Sequence, residues 1–187
     1  MSTFAPDIAL LVIDLQPDFM PGGALPCADG DAIVAPIAGL LASRRYATVV
    51  ATQDWHPATH ASFARSHAGR RPFEQITLHG HPQTLWPDHC VQGTPGAALH
   101  PGVDWVRADL ILRKGTREQV DSYSAFRENH GPAGDRPAIG RRPGWPDGCA
   151  SAASPRRMCA VWPAITACCG VRRMRRRRVF GCASCGG

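Results

Sequence analysis

The first patterned stretch of the chain is an unbroken apolar run, Ile8 to Ile13 (IALLVI), closed by Asp14. A run of that length without polar alternation suits a strand covered on both faces, as in a parallel sheet. Residues 31 to 45 carry Ile33, Val34, Ile37, Leu40 and Leu41 at helical spacing, and Ala47 to Ala51 is a second short apolar strand. Together they predict one β-α-β unit. Residues 57 to 104 are rich in His, Pro and Gly and hold no sustained periodicity, which marks a functional excursion rather than an ordinary connection. Leu110 to Leu112 predicts a third strand, running into Arg113 and Lys114. Polar residues delivered at the carboxyl ends of successive strands are how open α/β sheets build sites. There is no internal repeat.

Composition breaks near residue 131. From Met1 to His130, ten Lys or Arg face thirteen Asp or Glu, a net of −3; from Gly131 to Gly187 the net is +9, and Leu, Lys and Glu are absent. The overall charge of +6 therefore belongs to the tail and implies no anionic partner for the first part. A length of 187 residues suits one domain, but only residues 1–130 carry the periodic apolar segments of a core; 131–187 read as a separate, aberrant tail. Six of the eight cysteines are in that tail. No charged segment precedes an apolar one at the start, and no run of about 18 apolar residues occurs, so a soluble cytoplasmic chain is expected. In that compartment Cys27 and Cys90 are expected as thiols.

The chemistry concentrates in a few places. TQDWHPATH (52 to 60) sets Asp54, His56 and His60 just after the second strand. Mixed carboxylate and imidazole donors can converge on a borderline divalent cation, while the same Asp-x-His spacing also suits a turn with a capping acid. His67, His79, His81 and His89 offer further donors. Cys90 follows His89 directly, and adjacent side chains point different ways, so an inert buried thiol is expected there. Asp14 and Lys114, at neighbouring strand ends, suit either proton handling with mutually shifted pKa values or a simple ion pair.

Four ordered segments, VIDLQPDFMPGGAL (12 to 25), TQDWHP (52 to 57), LWPDHCVQGTPGAALHP (85 to 101) and RKGTREQVDSYSAF (113 to 126), resemble bacterial nicotinamidases (pyrazinamidase/nicotinamidase) of the isochorismatase-like cysteine hydrolase superfamily. The resemblance covers about residues 7 to 130. It implies a three-layer α/β fold around a parallel sheet and hydrolysis of nicotinamide, or pyrazinamide, to the acid and ammonia. By position, Asp14 resembles the family's general base and Lys114 its orienting cation. Asp54, His56 and His89 match the ligands of one divalent metal ion, of the Zn, Fe or Mn kind, and His60 matches an additional ligand of some members. Phe19 and Trp86 match the aromatic walls that sandwich the ring. The nucleophilic cysteine should lie in a later motif resembling GLAxDYCV, at a strand-to-helix junction.

That motif is absent, and MCAVWPAITACCG (158 to 170) stands in its place. Codons able to encode the tail, read one nucleotide earlier, restore it. Met158 with Cys159 must then give Val, Trp162 with Pro163 gives Ala, and Cys168 with Cys169 gives Leu. With permitted third bases elsewhere, 158 to 180 become VCGLAxDYCVLWSAEDAAAAGF, the motif cysteine straddling Thr166 and Ala167. Arg175 to Arg178 become an alanine run, a better helix former. Upstream, Arg142 to Ala150 can yield TGLAGWLR. Shifted leucine codons surface as Cys or Trp, which accounts for the missing leucines and the surplus cysteines. The slip falls between about Gly131 and Arg142. The fold is therefore expected to be incomplete, with a disordered tail, a bare apolar edge on the first strand, and no turnover.

Two rivals stand beside this reading. A tail that binds zinc through Cys168, Cys169, Cys182 and Cys185, or nucleic acid through Arg175 to Arg178, is disfavoured, because only Cys182 and Cys185 have chelating spacing and aromatic interleaving is thin. No nucleic-acid or membrane partner is expected. The other is a different small-amide hydrolase of the same superfamily, against which the resemblance sets Asp54, His56 and His89, since its metal-free members would have no use for the three together.

Overall fold

The computed structural model describes residues 5–125, 128–129, 157–161 and 181–183. In chain order its elements are β1 (Ala5–Val12), α1 (Val34–Ala42), β2 (Tyr46–Asp54), β3 (Gln75–Leu78), β4 (His81–Thr84), β5 (Leu110–Lys114), β6 (Arg157–Val161) and β7 (Gly181–Ala183), with short 3-10 turns between them. Five strands form one sheet in the order β5-β2-β1-β6-β7. All neighbours run parallel except β7, which is antiparallel to β6.

The apolar run of β1 divides by parity, as a strand covered on both faces must. Leu10 and Val12 join Ile37 and Leu41 of α1, Val49, Phe19 and Phe63 on one side. Leu11 and Ile13 pack with Val50, Leu110, Leu112 and Ala125 on the other. The helix is shorter than its predicted span because a 3-10 turn occupies Gly30–Ile33 and Arg44, at φ +51°, ends it. The strands are longer than predicted, with consequence: β2 continues to Asp54 and β5 to Lys114, and those two residues face each other in register. The ladder itself carries the acid and the amine to one place.

The long excursion holds more order than its composition suggested. β3 and β4 form an antiparallel hairpin of their own sheet, from Gln75↔Thr84 to Leu78↔His81. The turn between them is two residues, His79 and Gly80, both at positive φ (+50° and +82°). Such turns favour Asn or Asp before Gly, so a His there concealed the hairpin.

The expected bare edge on β1 is not found. β6 pairs with it from Ile8↔Arg157 to Val12↔Val161, and β7 continues the sheet. The physical reason is that strand pairing runs through main-chain donors and acceptors, which every residue but proline supplies. Of the tail, the position of the missing motif beyond Val161, the Arg175 to Arg178 run, Cys168, Cys169 and Cys185 lie outside the described residues. Among the described residues no helix is long and apolar enough to cross a membrane.

A proline placed in β6 tests this pairing. Ala160→Pro removes a main-chain donor from a strand flanked on both sides. It is expected to lower the unfolding free energy by roughly 1–3 kcal/mol in a denaturant titration; an unchanged midpoint would mean that this segment adds nothing to the sheet.

Candidate functional site

Three adjacent strands end at one buried cluster. Lys114, from β5, places its ammonium 2.8 Å from Asp14 Oδ2 and 2.5 Å from Asp54 Oδ1, and donates to the Ser122 carbonyl at 3.0 Å. Asp14 lies just beyond β1 at φ +51°, its backbone N–H donating to Thr52 Oγ1 and its carboxylate accepting from the same hydroxyl at 2.7 Å. Gln16 laces β1 to β2 with its side chain. Its carbonyl accepts from Asp54 N–H at 2.7 Å, and its amide donates to the carbonyls of Asp54 and Ala97.

Two carboxylates sharing one ammonium are not equivalent. Burial raises Asp14 above the ordinary carboxylate range, an effect that Lys114 reduces and the Asp54 charge increases. Burial would raise Asp54 as well, but Lys114 and then His56 outweigh it and hold that group well below the usual range. Lys114, which burial would lower, is driven above the ordinary lysine value by Asp14 and Asp54. The environment thus drives the two carboxyls apart, Asp14 upward and Asp54 downward.

Asp54 also faces the imidazoles. His56 Nε2 lies 3.7 Å from Asp54 Oδ2, and one donor atom each from Asp54, His56 and His89 lies within 4.8 Å of the others, all three residues buried. Both rings are oriented for coordination. His56 Nδ1 donates to the Gly115 carbonyl at 3.0 Å, and His89 Nδ1 donates to the Pro87 carbonyl at 2.8 Å. A carbonyl only accepts, so each Nδ1 carries a hydrogen, and in the neutral ring Nε2 then keeps its lone pair. Gly115, at φ +61°, leaves room for the His56 ring, which a Cβ there would strike. The donor set therefore fits a borderline divalent ion. The Asp54 carboxylate overcomes the effect of burial and raises His56; His89 is lowered by burial and by its neighbour His56.

His60 falls in a neighbouring position. Its ring centroid is 4.5 Å from that of His56, and it groups with His56 and Asp121, not with Asp54 and His89. Its Nδ1 accepts from Ser62 N–H at 3.2 Å, leaving Nε2–H to donate to the Val120 carbonyl at 3.3 Å. The two groups share His56.

The aromatic residues named from the sequence are both buried. Phe19 packs 5.8 Å from the His89 ring, centroid to centroid. Trp86 meets Tyr123 edge to face at 6.1 Å, and its indole N–H donates to the Tyr123 hydroxyl at 3.1 Å. Gln83 donates to that hydroxyl and to Asp121. Cys90 is fully buried, and its thiol is raised well above the usual value, first by burial and then by Asp54, Asp18 and Asp14. His67, His79 and His81 contribute to neither donor group. Thr52, Tyr123, Asp121 and Gln83 were not singled out from the sequence. Thr52 was within reach, since it shares parity with Asp54 on β2.

Residues 8–129 match the model of the isochorismatase domain. The nicotinamidase of Acinetobacter baylyi is 51% identical over 124 residues, covering 66% of this chain and 57% of that protein. A solved nicotinamidase and pyrazinamidase of Acinetobacter baumanii superposes with a TM-score of 0.68 at 40% identity, over 83% of this chain and 70% of the other. The yeast nicotinamidase bound to the inhibitor nicotinaldehyde gives 0.61 at 34% identity, over 65% of this chain and 62% of the other. The chain thus spans 57% of the length of the first of these curated relatives.

Replacing the shared cation should be costly. Lys114→Met leaves Asp14 and Asp54 buried without their counter-charge and is expected to cost about 3–5 kcal/mol, read from denaturant midpoints. Adding Asp14→Asn should recover part of that loss, since one stranded carboxylate is then gone; no recovery would mean that the two acids do not share the ammonium.

Proposed function

This chain belongs to the isochorismatase family, and from that premise we propose that it is the ring-binding and metal-holding part of a cytoplasmic nicotinamide amidohydrolase, written without the nucleophile that the reaction needs. The observation that carries the proposal is the direct join between the Asp14–Lys114–Asp54 cluster and the coordinating face of His56 and His89, with Asp54 common to both.

Asp54, His56 and His89 would hold one divalent ion of the Zn, Fe or Mn kind, which when bound supplies a Lewis-acidic point for a pyridine-type nitrogen. Phe19 and Trp86 offer flat apolar faces to an aromatic ring. The substrate proposed is nicotinamide, or pyrazinamide, whose ring offers the same kind of nitrogen. Asp14, the carboxyl kept above the ordinary range, receives the proton of an attacking thiol and returns it to the departing amine, so ammonia leaves and a thioester remains for water to cleave. Lys114 fixes Asp14 and offers positive charge beside the reacting carbonyl.

Among the residues whose side chains are described, Cys90 does not meet that need. Cys90 is buried and held as a thiol, and the GLAxDYCV-like motif is missing from the sequence. Its place follows β6, whose register with β1 ends at Val12↔Val161, two residues before Asp14. The out-of-frame reading of the tail accounts for the loss.

Two outcomes are expected. The chain should take up one divalent ion, and His56→Ala should lose it by elemental analysis, because removing one of three protein donors leaves a poorly held ion; unchanged metal content would exclude this donor set. In an ammonia-release assay on nicotinamide, the chain as written should be silent, the chain with the earlier frame restored near residue 135 should turn over, and the restored chain with its motif cysteine changed to Ala should lose a factor of about 10⁶. Turnover by the chain as written would overthrow the nucleophile assignment; a folded, metal-loaded but silent restored chain would point to another amide.

A further inference from the structure

Cys90 is a junction although its thiol is inert. It holds φ +46°, a conformation that non-glycine residues adopt only when their surroundings require it. Its N–H donates to Asp18 Oδ2 at 2.6 Å. Its carbonyl accepts the His56 N–H at 2.9 Å, and the His56 carbonyl accepts from Gln92 N–H at 2.9 Å. The main chain of one residue therefore ties the loop of His89 to the loop of His56.

Asp18 anchors that junction from a third segment. Its carbonyl accepts the Leu25 N–H at 2.9 Å, and its second carboxylate oxygen lies 3.4 Å from the Ala24 N–H, so the turn that carries Phe19 is closed on it. The carboxylate also occupies the space over Gly96, where an added Cβ would overlap it. The residue beside Asp18 is Phe19, whose ring packs on His89. Neither Asp18 nor Gly96 belongs to the donor set or to the proton-handling cluster.

We infer that Asp18 is a positioning residue for the metal-holding group: by accepting the Cys90 N–H it fixes where His56 and His89 present Nε2 and sets Phe19 against them. The inference rests on the metal reading proposed above. Groups that orient metal ligands are typically worth about 10–100-fold in metal affinity when removed.

The test is Zn²⁺ affinity of the full chain by competition with a chelating dye, together with the visible absorption of its Co²⁺ form. Asp18→Ala should weaken Zn²⁺ binding about 10–100-fold and change the Co²⁺ spectrum. Asp18→Asn, whose amide oxygen accepts the same N–H, should recover most of the loss. Gly96→Ala, which displaces the carboxylate without removing any group, should weaken binding in the same direction and decides the matter where Asp18→Ala does not fold. Parental affinity in Asp18→Ala, Asp18→Asn no better than Asp18→Ala, or a lowered melting point with unchanged affinity would overturn the inference alone. Parental affinity in Gly96→Ala would do the same, as would failure of both Asp18→Ala and Gly96→Ala to fold. A parent chain that binds no Zn²⁺ would sink the metal reading and this inference with it.

Discussion

The ammonium of Lys114 is the point on which the site is built. It comes from β5, and its two carboxylate partners come from the ends of β2 and β1, so one side chain binds three consecutive strand ends together. Burying three charged groups is expensive, and only close geometry with every remaining hydrogen satisfied makes it tolerable. That condition is met, because the third proton goes to the Ser122 carbonyl and no buried side-chain polar atom among the described residues lacks a partner.

Much of the surrounding geometry follows from protecting that arrangement. Gln16 bridges the same two strand ends with its amide, doing with a side chain what the ladder does with peptide groups. Gln53 adds a bond to the Ala97 carbonyl, which Gln16 also reaches, so the far end of the long excursion is fastened to the strand tips. A segment of such low periodicity could not hold His56 and His89 by packing alone. Its order comes from hydrogen bonds that return to the sheet.

The three parallel strands of the first part and the helix between the first two were legible because apolar runs and helical spacing report burial directly. Asp14, Asp54 and Lys114 were legible as strand-end polar residues. What the pattern hid has particular causes. The hairpin turned on His79 in place of a more telling residue. The strand ends ran past the apolar stretch because polar residues there are buried by partners rather than exposed, so hydropathy marked the wrong stop. His60 lies close to His56 in sequence and in space, yet the hydrogen bond from Ser62 N–H to its Nδ1 turns it to a different group, which spacing does not encode. Tyr123 and Asp121 come from a loop, where no periodicity points inward. The pairing of β6 is not legible in composition or in chemical motifs, because neither governs whether a segment can extend beside another.

That pairing separates two kinds of requirement. A place in a sheet is open to any extended peptide with main-chain groups free to pair. A place in a reaction admits one functional group at one distance. Backbone likeness measures the first kind and is blind to the second, so a superposition alone reports the shape of a sheet and says nothing of the group that reacts.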